Sequence, residues 1–252
     1  MTRLTPLSST QAEAEALPTL DPALVPPSIM GPAVLTTAAM NGTGLDALAQ
    51  RVFAEDTDAA ARLFDLGLLY QLAFQRDEAM RRQRTAVAAA PVLRLRRAIV
   101  APPAIRLLAL MTPGDLMANT PLDFITNHLD VQLDLLFVTP GAPLPAAVPD
   151  HDLVFIATCA EDPATMARIQ ALHDIWPRPR LNDPRFLPAL ARERLHHLLA
   201  GEPGLCCPPT VAIDRSAVEA FGRSAESNVE AILPGGALPI LLRPMGTHAG
   251  AG

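Results

Sequence analysis

Between Ile105 and Pro177 short apolar runs alternate with helix-like segments, and this alternation constrains the fold more than any other feature of the chain. Arg106-Leu107-Leu108-Ala109-Leu110-Met111 is apolar at every position after its first and stops at Pro113-Gly114. A run that short, apolar at odd and even positions alike, reads as a strand buried on both faces. Gln132 to Val138 and Asp152 to Thr158 repeat the pattern. Pro121 to His128 reads as a helix, with Thr120 as its N-cap and Pro121 at its first position. Asp162 and Pro163 open another, with Met166, Ile169 and Leu172 on its apolar side and an end at Trp176-Pro177. Strands alternating with helices predict an α/β fold with a parallel sheet covered on both faces.

A connector follows. Leu181-Asn182-Asp183-Pro184 is an asparagine-containing turn, a Leu-rich helix runs to about Leu199, Gly201 closes it, and Pro208-Pro209-Thr210-Val211 leads onward. Ser216 to Ile232 reads as helical, and Pro239-Ile240-Leu241-Leu242-Arg243 as the first strand of a new sheet. That strand runs into a glycine-rich loop from Pro244 to Gly252.

Upstream, residues 1 to 42 carry Pro6, Pro18, Pro22, Pro26, Pro27 and Pro32 with no sustained period. They read as a mostly irregular arm, with room for a short helix at Thr10 to Leu17 and for Leu and Val to lie along a groove of the folded part. From Leu45 to Ala90 the period is helical. Within a helical pair from Ala59 to Ala90, Leu63, Leu66, Gly67, Tyr70, Ala79, Gln83, Ala86 and Pro91 fall at the spacing of one tetratricopeptide repeat. The small residues let two helices approach closely. One repeat is short of the roughly three that make a stable solenoid, so a plain α-hairpin packed on its neighbour fits the same residues.

The charged residues exclude several function classes. All 20 basic residues are Arg, which removes a Walker-type phosphate lysine and a Schiff-base lysine from these residues. A net charge of -6 argues against general binding to a nucleic-acid backbone. The cluster Arg81, Arg82, Arg84 and the run Arg94, Arg96, Arg97 read as a solvated helix face and an edge of snorkelling side chains. Three cysteines give no disulfide framework, and the first residues lack the pattern of a signal peptide, so a cytoplasmic protein is expected. No apolar run reaches the ~18 residues of a membrane span uninterrupted.

Candidate chemistry is sparse. His196, His197, Cys206 and Cys207 lie close in sequence, but adjacent side chains diverge and the spacing is not that of zinc ligands, so no metal site is expected. Cys159 follows an apolar strand, with His151 and Asp162 near it, where either a nucleophile or an inert buried thiol fits. Gly42-x-Gly44 follows no strand and so is not a dinucleotide fingerprint. The turn from Pro113 to Thr120 lies at the carboxyl end of the first strand, where open parallel sheets bind ligands. Asp115, Asn119 and the backbone amides at the helix start form a candidate grip for a polar group, and a capped turn without ligand is the alternative.

These motifs carry a resemblance. Gly114-Asp115-Leu116-Met117-Ala118-Asn119-Thr120-Pro121-Leu122-Asp123-Phe124, Leu133 to Val138, Trp176-Pro177-Arg178-Pro179, Leu181 to Pro184 and Pro208-Pro209-Thr210 resemble, in this order, tetratricopeptide-containing ATP-grasp proteins. Leu242-Arg243-Pro244-Met245-Gly246-Thr247-His248-Ala249-Gly250 continues the match, which covers roughly Leu45 to the end. The superfamily includes glutathione synthetase and D-alanine:D-alanine ligase. The resemblance implies an arm at 1–42, a helical tetratricopeptide-like module at 43–98, a parallel-sheet pre-ATP-grasp α/β domain at 99–208, and the truncated start of an ATP-grasp domain at 209–252. It implies ATP and Mg2+ as cofactors of a complete member, which joins a carboxylate, activated as an acyl phosphate, to an amine. Carried over by motif, Arg243, Arg192, Gly246 and His248 fall at nucleotide-contacting positions, and Asp115, Asn119 and Asn182 at the substrate cleft. Arg243 stands where a Lys precedes Pro in the family, and a planar guanidinium is not equivalent to an ammonium. The family's phosphate-covering loop and magnesium ligands would lie beyond Gly252, so no catalysis is expected of these residues alone. The alternative function is a non-catalytic adaptor whose helical module binds a peptide or partner protein, with an acidic peptide along Arg81 to Arg84.

Overall fold

The computed structural model describes residues 16–55, 58–96, 101–159, 162–190, 192–223 and 229–243. The possible helix at Thr10 to Leu17 and the glycine-rich loop after Arg243 fall largely or wholly outside these residues. The chain is mixed α/β. Strand β1 (Thr19–Asp21) and strand β2 (Ser28–Ile29) precede helices α1 (Gly31–Met40), α2 (Leu45–Ala54), α3 (Ala59–Leu72) and α4 (Arg76–Ala89). Then come β3 (Val92–Leu95), β4 (Ile105–Met111), α5 (Leu122–Thr126), β5 (Val131–Phe137), β6 (Ala147–Pro149), β7 (Leu153–Ile156), α6 (Pro163–Ile175) and β8 (Arg180–Leu181). A 3₁₀ segment Pro184–Leu190 and helices α7 (Arg192–Leu199), α8 (Arg215–Arg223) and α9 (Val229–Ile232) complete the described chain. No described helix is long and apolar enough to cross a membrane.

The apolar runs become the middle of a six-stranded sheet of order β2-β3-β5-β4-β7-β8. Their two-sided apolar pattern is used on both faces. Leu107 and Ala109 of β4, with Leu133, Leu135 and Phe137 of β5, join one core together with α1, α2, α3 and α4. Leu108, Leu110 and Leu136 point the other way, into a second core with Ile169 and Leu172 of α6 and Trp176. The α3–α4 pair forms as expected from its small residues. A side chain at Gly67 would bring its Cβ to 3.2 Å from the Ala79 carbonyl, tighter than an ordinary contact, so the missing side chain eases the close approach of the helices. Asp162 caps α6, accepting from the Thr165 N–H at 2.8 Å. In the second core the Trp176 indole N–H donates to His151 Nε2 at 2.9 Å, which leaves Nδ1 to donate to the Pro149 carbonyl at 2.8 Å. Burial holds this histidine below its ordinary pKa, as a neutral ring.

Four expectations are corrected. The sheet is mixed, because β3 runs antiparallel to β5 while every other pairing is parallel. β3 is the parallel partner of β2, reached through α1 to α4, and this two-strand edge is joined antiparallel to β5. The arm is not mostly irregular: β1 pairs with β6, β2 pairs with β3, and α1 lies in the first core. It lacks a sequence period because it crosses from one face of the sheet to the other, with Leu20 against the second core and Leu35 in the first. Residues of the arm, the helical module and the sheet share that first core. Thr120 does not cap α5, whose N-cap is Pro121 without a side-chain bond. The Thr120 N–H is instead tied to the Ala157 carbonyl beyond β7, at 2.6 Å. Pro239 to Arg243 form no strand, and Leu241 and Leu242 are exposed, because no described strand lies beside them to complete a ladder.

Candidate functional site

β4 connects through α5 to β5 on one side, and β7 connects through α6 to β8 on the other. Connections that diverge from neighbouring parallel strands open a crevice at their carboxyl ends, the usual ligand position in open α/β sheets. At that point the structure builds a buried polar cluster. The Thr112 and Thr158 hydroxyls are 2.7 Å apart. Asn119 accepts from the Thr112 N–H at 3.0 Å and donates to the Thr112 carbonyl at 2.9 Å, so its amide straps the start of the turn to its end. Asn182, exposed and at φ 64°, donates to the Ile156 carbonyl at 2.6 Å.

Beside the crevice, a cavity of about 50 Å³ lies between the β4–α5 turn, the ends of β4 and β5, and the helical hairpin. Phe64, Leu68, Leu135 and Phe137 form its apolar wall, and Gln71, Gln83, Asp115, Asn119 and Asp123 its polar lining. The hairpin holds the turn at three successive residues. Gln83 matches both groups of one residue, accepting from the Gly114 N–H at 2.9 Å and donating to its carbonyl at 2.8 Å. Arg76 pairs with Asp115 at 3.2 Å, and Gln71 accepts from the Leu116 N–H at 2.8 Å. Asp115 also accepts from the Met117 N–H at 3.0 Å.

The turn needs glycine at its second residue. A Cβ at Gly114 would sit 2.4 Å from the Ala118 Cβ. Gly114→Ala is therefore expected to cost about 1–3 kcal/mol by overpacking, and Gly114→Ala with Ala118→Gly to recover most of it. Urea unfolding of both variants checks this, and a single variant as stable as the parent would remove the argument.

Two buried carboxylates stand behind the cavity. Asp65 of α3 accepts from the Met30 N–H at 2.8 Å and the Gly31 N–H at 3.1 Å, and Asp123 of α5 accepts from the Ala33 N–H at 2.7 Å. Together they satisfy the first amides of α1, whose own N-cap residue supplies no side chain. Burial, opposed by these bonds and by Arg96, pushes the Asp65 carboxyl up to about 6.

Of the residues singled out by sequence, Asp115 and Asn119 line the same cavity, whereas Asn182 lies outside its lining and is tied to the end of β7. Arg192 opens α7, Arg243 is exposed with no described contact to the cleft, and Gly246 and His248 lie outside the described residues. Cys159 follows β7, and desolvation raises its thiol pKa, the reverse of an activated nucleophile. Cys206 and Cys207 carry free thiols, and among the described residues no group of His, Cys, Asp or Glu is arranged to hold a metal. Sequence reasoning missed Gln71, Gln83, Asp65 and Asp123. The signal for Asp65 was present, as a lone carboxylate inside the apolar stretch Leu63-Phe64-Asp65-Leu66.

Fold and site thus define a mixed α/β protein with a small, partly polar cavity at the carboxyl edge of its sheet, roofed by a helical hairpin. Comparison with protein-family models, with curated proteins and with solved structures returned no match.

Proposed function

We propose that these residues are the front part of an ATP-grasp carboxylate–amine ligase: a tetratricopeptide-like hairpin, a preliminary α/β domain that receives the substrate, and the start of the nucleotide-binding domain. One observation carries the reading. Asp115 and Asn119, in the turn after β4, line one cavity, and Asn182, after β8, bonds to the end of the neighbouring parallel strand β7, so residues of two resembling motifs stand at the carboxyl ends of the strands, where such a domain presents its substrate. ATP and Mg2+ belong to the complete ligase, with Arg243, Arg192, Gly246 and His248 on the nucleotide side. The recombinant 252-residue chain is expected to release no phosphate from ATP with magnesium. The native polypeptide, captured from its own cell extract, is expected to release phosphate when a carboxylate and an amine are both supplied. Failure of the native polypeptide to do so across a panel of both would sink the ligase reading.

The adaptor is the second reading, favoured by Phe74. This residue sits at the tip of the hairpin, 95% exposed and at φ 59°, a conformation that an aromatic side chain rarely adopts. The Arg groove supports it less, because Arg81 and Arg82 both pair with Glu78 and Arg82 stacks over Tyr70.

A further inference from the structure

We propose that the bond between Trp176 and His151 is an acid-sensitive latch, which holds the segment from Trp176 to Asn182 against β7 and lets it go when His151 takes up a proton. The latch belongs to the second core and does not rest on the ligase reading.

It has one working protonation state. His151 lies in the turn between β6 and β7 and is 1% exposed, and Trp176 is 3% exposed. An indole N–H can only donate, so the Nε2 atom that receives it at 2.9 Å must present a lone pair. Nδ1 carries the proton of the neutral ring and donates it to the Pro149 carbonyl at 2.8 Å. A second proton can go only to Nε2, where it meets the indole N–H. Donor then faces donor, and the bond is lost.

The charged groups around the ring offer the imidazolium no substitute. In the same turn Asp150 is gripped by Arg178 at 2.5 Å and by Arg106 of β4 at 2.9 Å, and Asp152 by Arg106 at 2.6 Å. Asp134 of β5 is held by Arg94 of β3, and α6 brings His173 paired with Asp174 at 3.2 Å. Each of these carboxylates already has a partner, and burial disfavours the charged ring further. Protonation is therefore accommodated by opening, with the indole leaving and the ring reaching water.

What opening releases follows from the chain. Trp176 ends α6 and leads into β8, a strand of two exposed residues. β8 pairs with β7 only at Val154↔Arg180 and Phe155↔Leu181, with one further bond from the Val154 N–H to the Pro179 carbonyl at 2.9 Å. So short an edge pairing is marginal by itself. Asn182, the next residue, donates to the Ile156 carbonyl at the crevice. A proton taken up at the amino end of β7 thus loosens Asn182 at its carboxyl end.

Trp176 is the single Trp of the chain, so its indole N–H gives one resonance that reads the latch alone. The test follows that resonance and the Asn182 side-chain amide in the whole chain from about pH 7.5 to about pH 4. Asp150 and Asp152 stay charged over this range, because hydrogen bonds from Arg178 and Arg106 hold both below the usual carboxylate range. Both resonances are expected to move together as pH falls below 6.5, the ordinary value for histidine, while the far-ultraviolet circular dichroism keeps its native form. The open-to-closed ratio rises by up to about tenfold per pH unit until the closed form is itself protonated. His151→Gln keeps an acceptor for the indole and a donor for the Pro149 carbonyl without a titrating proton, and is expected to hold both resonances still. In the parent chain, the ring nitrogens of His151 are expected to show a proton on Nδ1 alone at about pH 7.5 and on both as the indole moves. A stationary indole resonance down to about pH 4, movement that persists in His151→Gln, or a proton on Nε2 at about pH 7.5 would overturn the proposal. An Asn182 amide that stays fixed while the indole moves would overturn it too, as would an indole change that comes only with loss of the whole fold.

Discussion

Arg94→Met is expected to destabilise the fold by about 3–5 kcal/mol, the cost of leaving one member of a buried ion pair alone. Asp134 lies on β5 within the second face of the sheet and is 2% exposed. Arg94 stands directly opposite on β3 and grips it with two nitrogens, at 2.7 and 2.9 Å. Without the guanidinium, the carboxylate keeps only a 3.4 Å contact from Gln132 and cannot recover its hydration. Arg94→Met combined with Asp134→Leu removes both charges and is expected to return most of the loss, because a buried pair is seldom worth more than a well-packed apolar pair. Urea unfolding of the two single variants and the double variant measures this. A double variant as unstable as Arg94→Met would show that packing, not the orphaned charge, dominates.

Asp65→Ala is expected to cost most at low pH. The variant leaves the Met30 and Gly31 amides unpaired, at about 1–3 kcal/mol each. Against this stands the cost of the charge itself. The unfolded carboxyl releases its proton near 3.8 and the folded one near about 6, so between these values the folded state holds more protons. Stability contributed by Asp65 is therefore full below pH 3.8 and falls as pH rises towards 6, by about 3 kcal/mol. The variant lacks this loss, so its deficit against the parent is expected to shrink by about 2 kcal/mol between pH 4 and pH 7. Thermal or urea unfolding at both pH values reads the difference. An equal deficit at both would mean that Asp65 titrates alike in the folded and unfolded states.

Where a segment satisfied its own hydrogen bonds and buried its own apolar pattern, the sequence was readable. Strand Ile105–Met111 runs between the expected residues, and Asp162-Pro163 opens α6 as its capping chemistry dictates. The α3–α4 hairpin followed from Gly67 and Ala79, since small residues ease that approach. Elements that depend on a distant partner were not readable. β1, β2 and β8 are two or three residues long and exist through pairing with β6, β3 and β7. Pro239 to Arg243 has a strand's composition and no described partner, so composition alone misled.

The site divides in the same way. Its turn was legible, because Pro113-Gly114 after an apolar run marks a strand end and Asp115 and Asn119 are residues that bond to nearby backbone. Its walls were not. The roles of Gln71 and Gln83 depend on α3 and α4 lying over a turn about thirty to forty-five residues downstream, and those of Asp65 and Asp123 on α1 aiming its free amides between two other helices. By itself the sequence determined the central strands, the α3–α4 hairpin, the start of α6 and where the central strand stops, because these follow from local sterics and apolar periodicity. Tertiary structure alone decided the direction of β3, the grip on α1 and the cavity, because buried polar groups find partners by proximity in space, which carries no period in the chain.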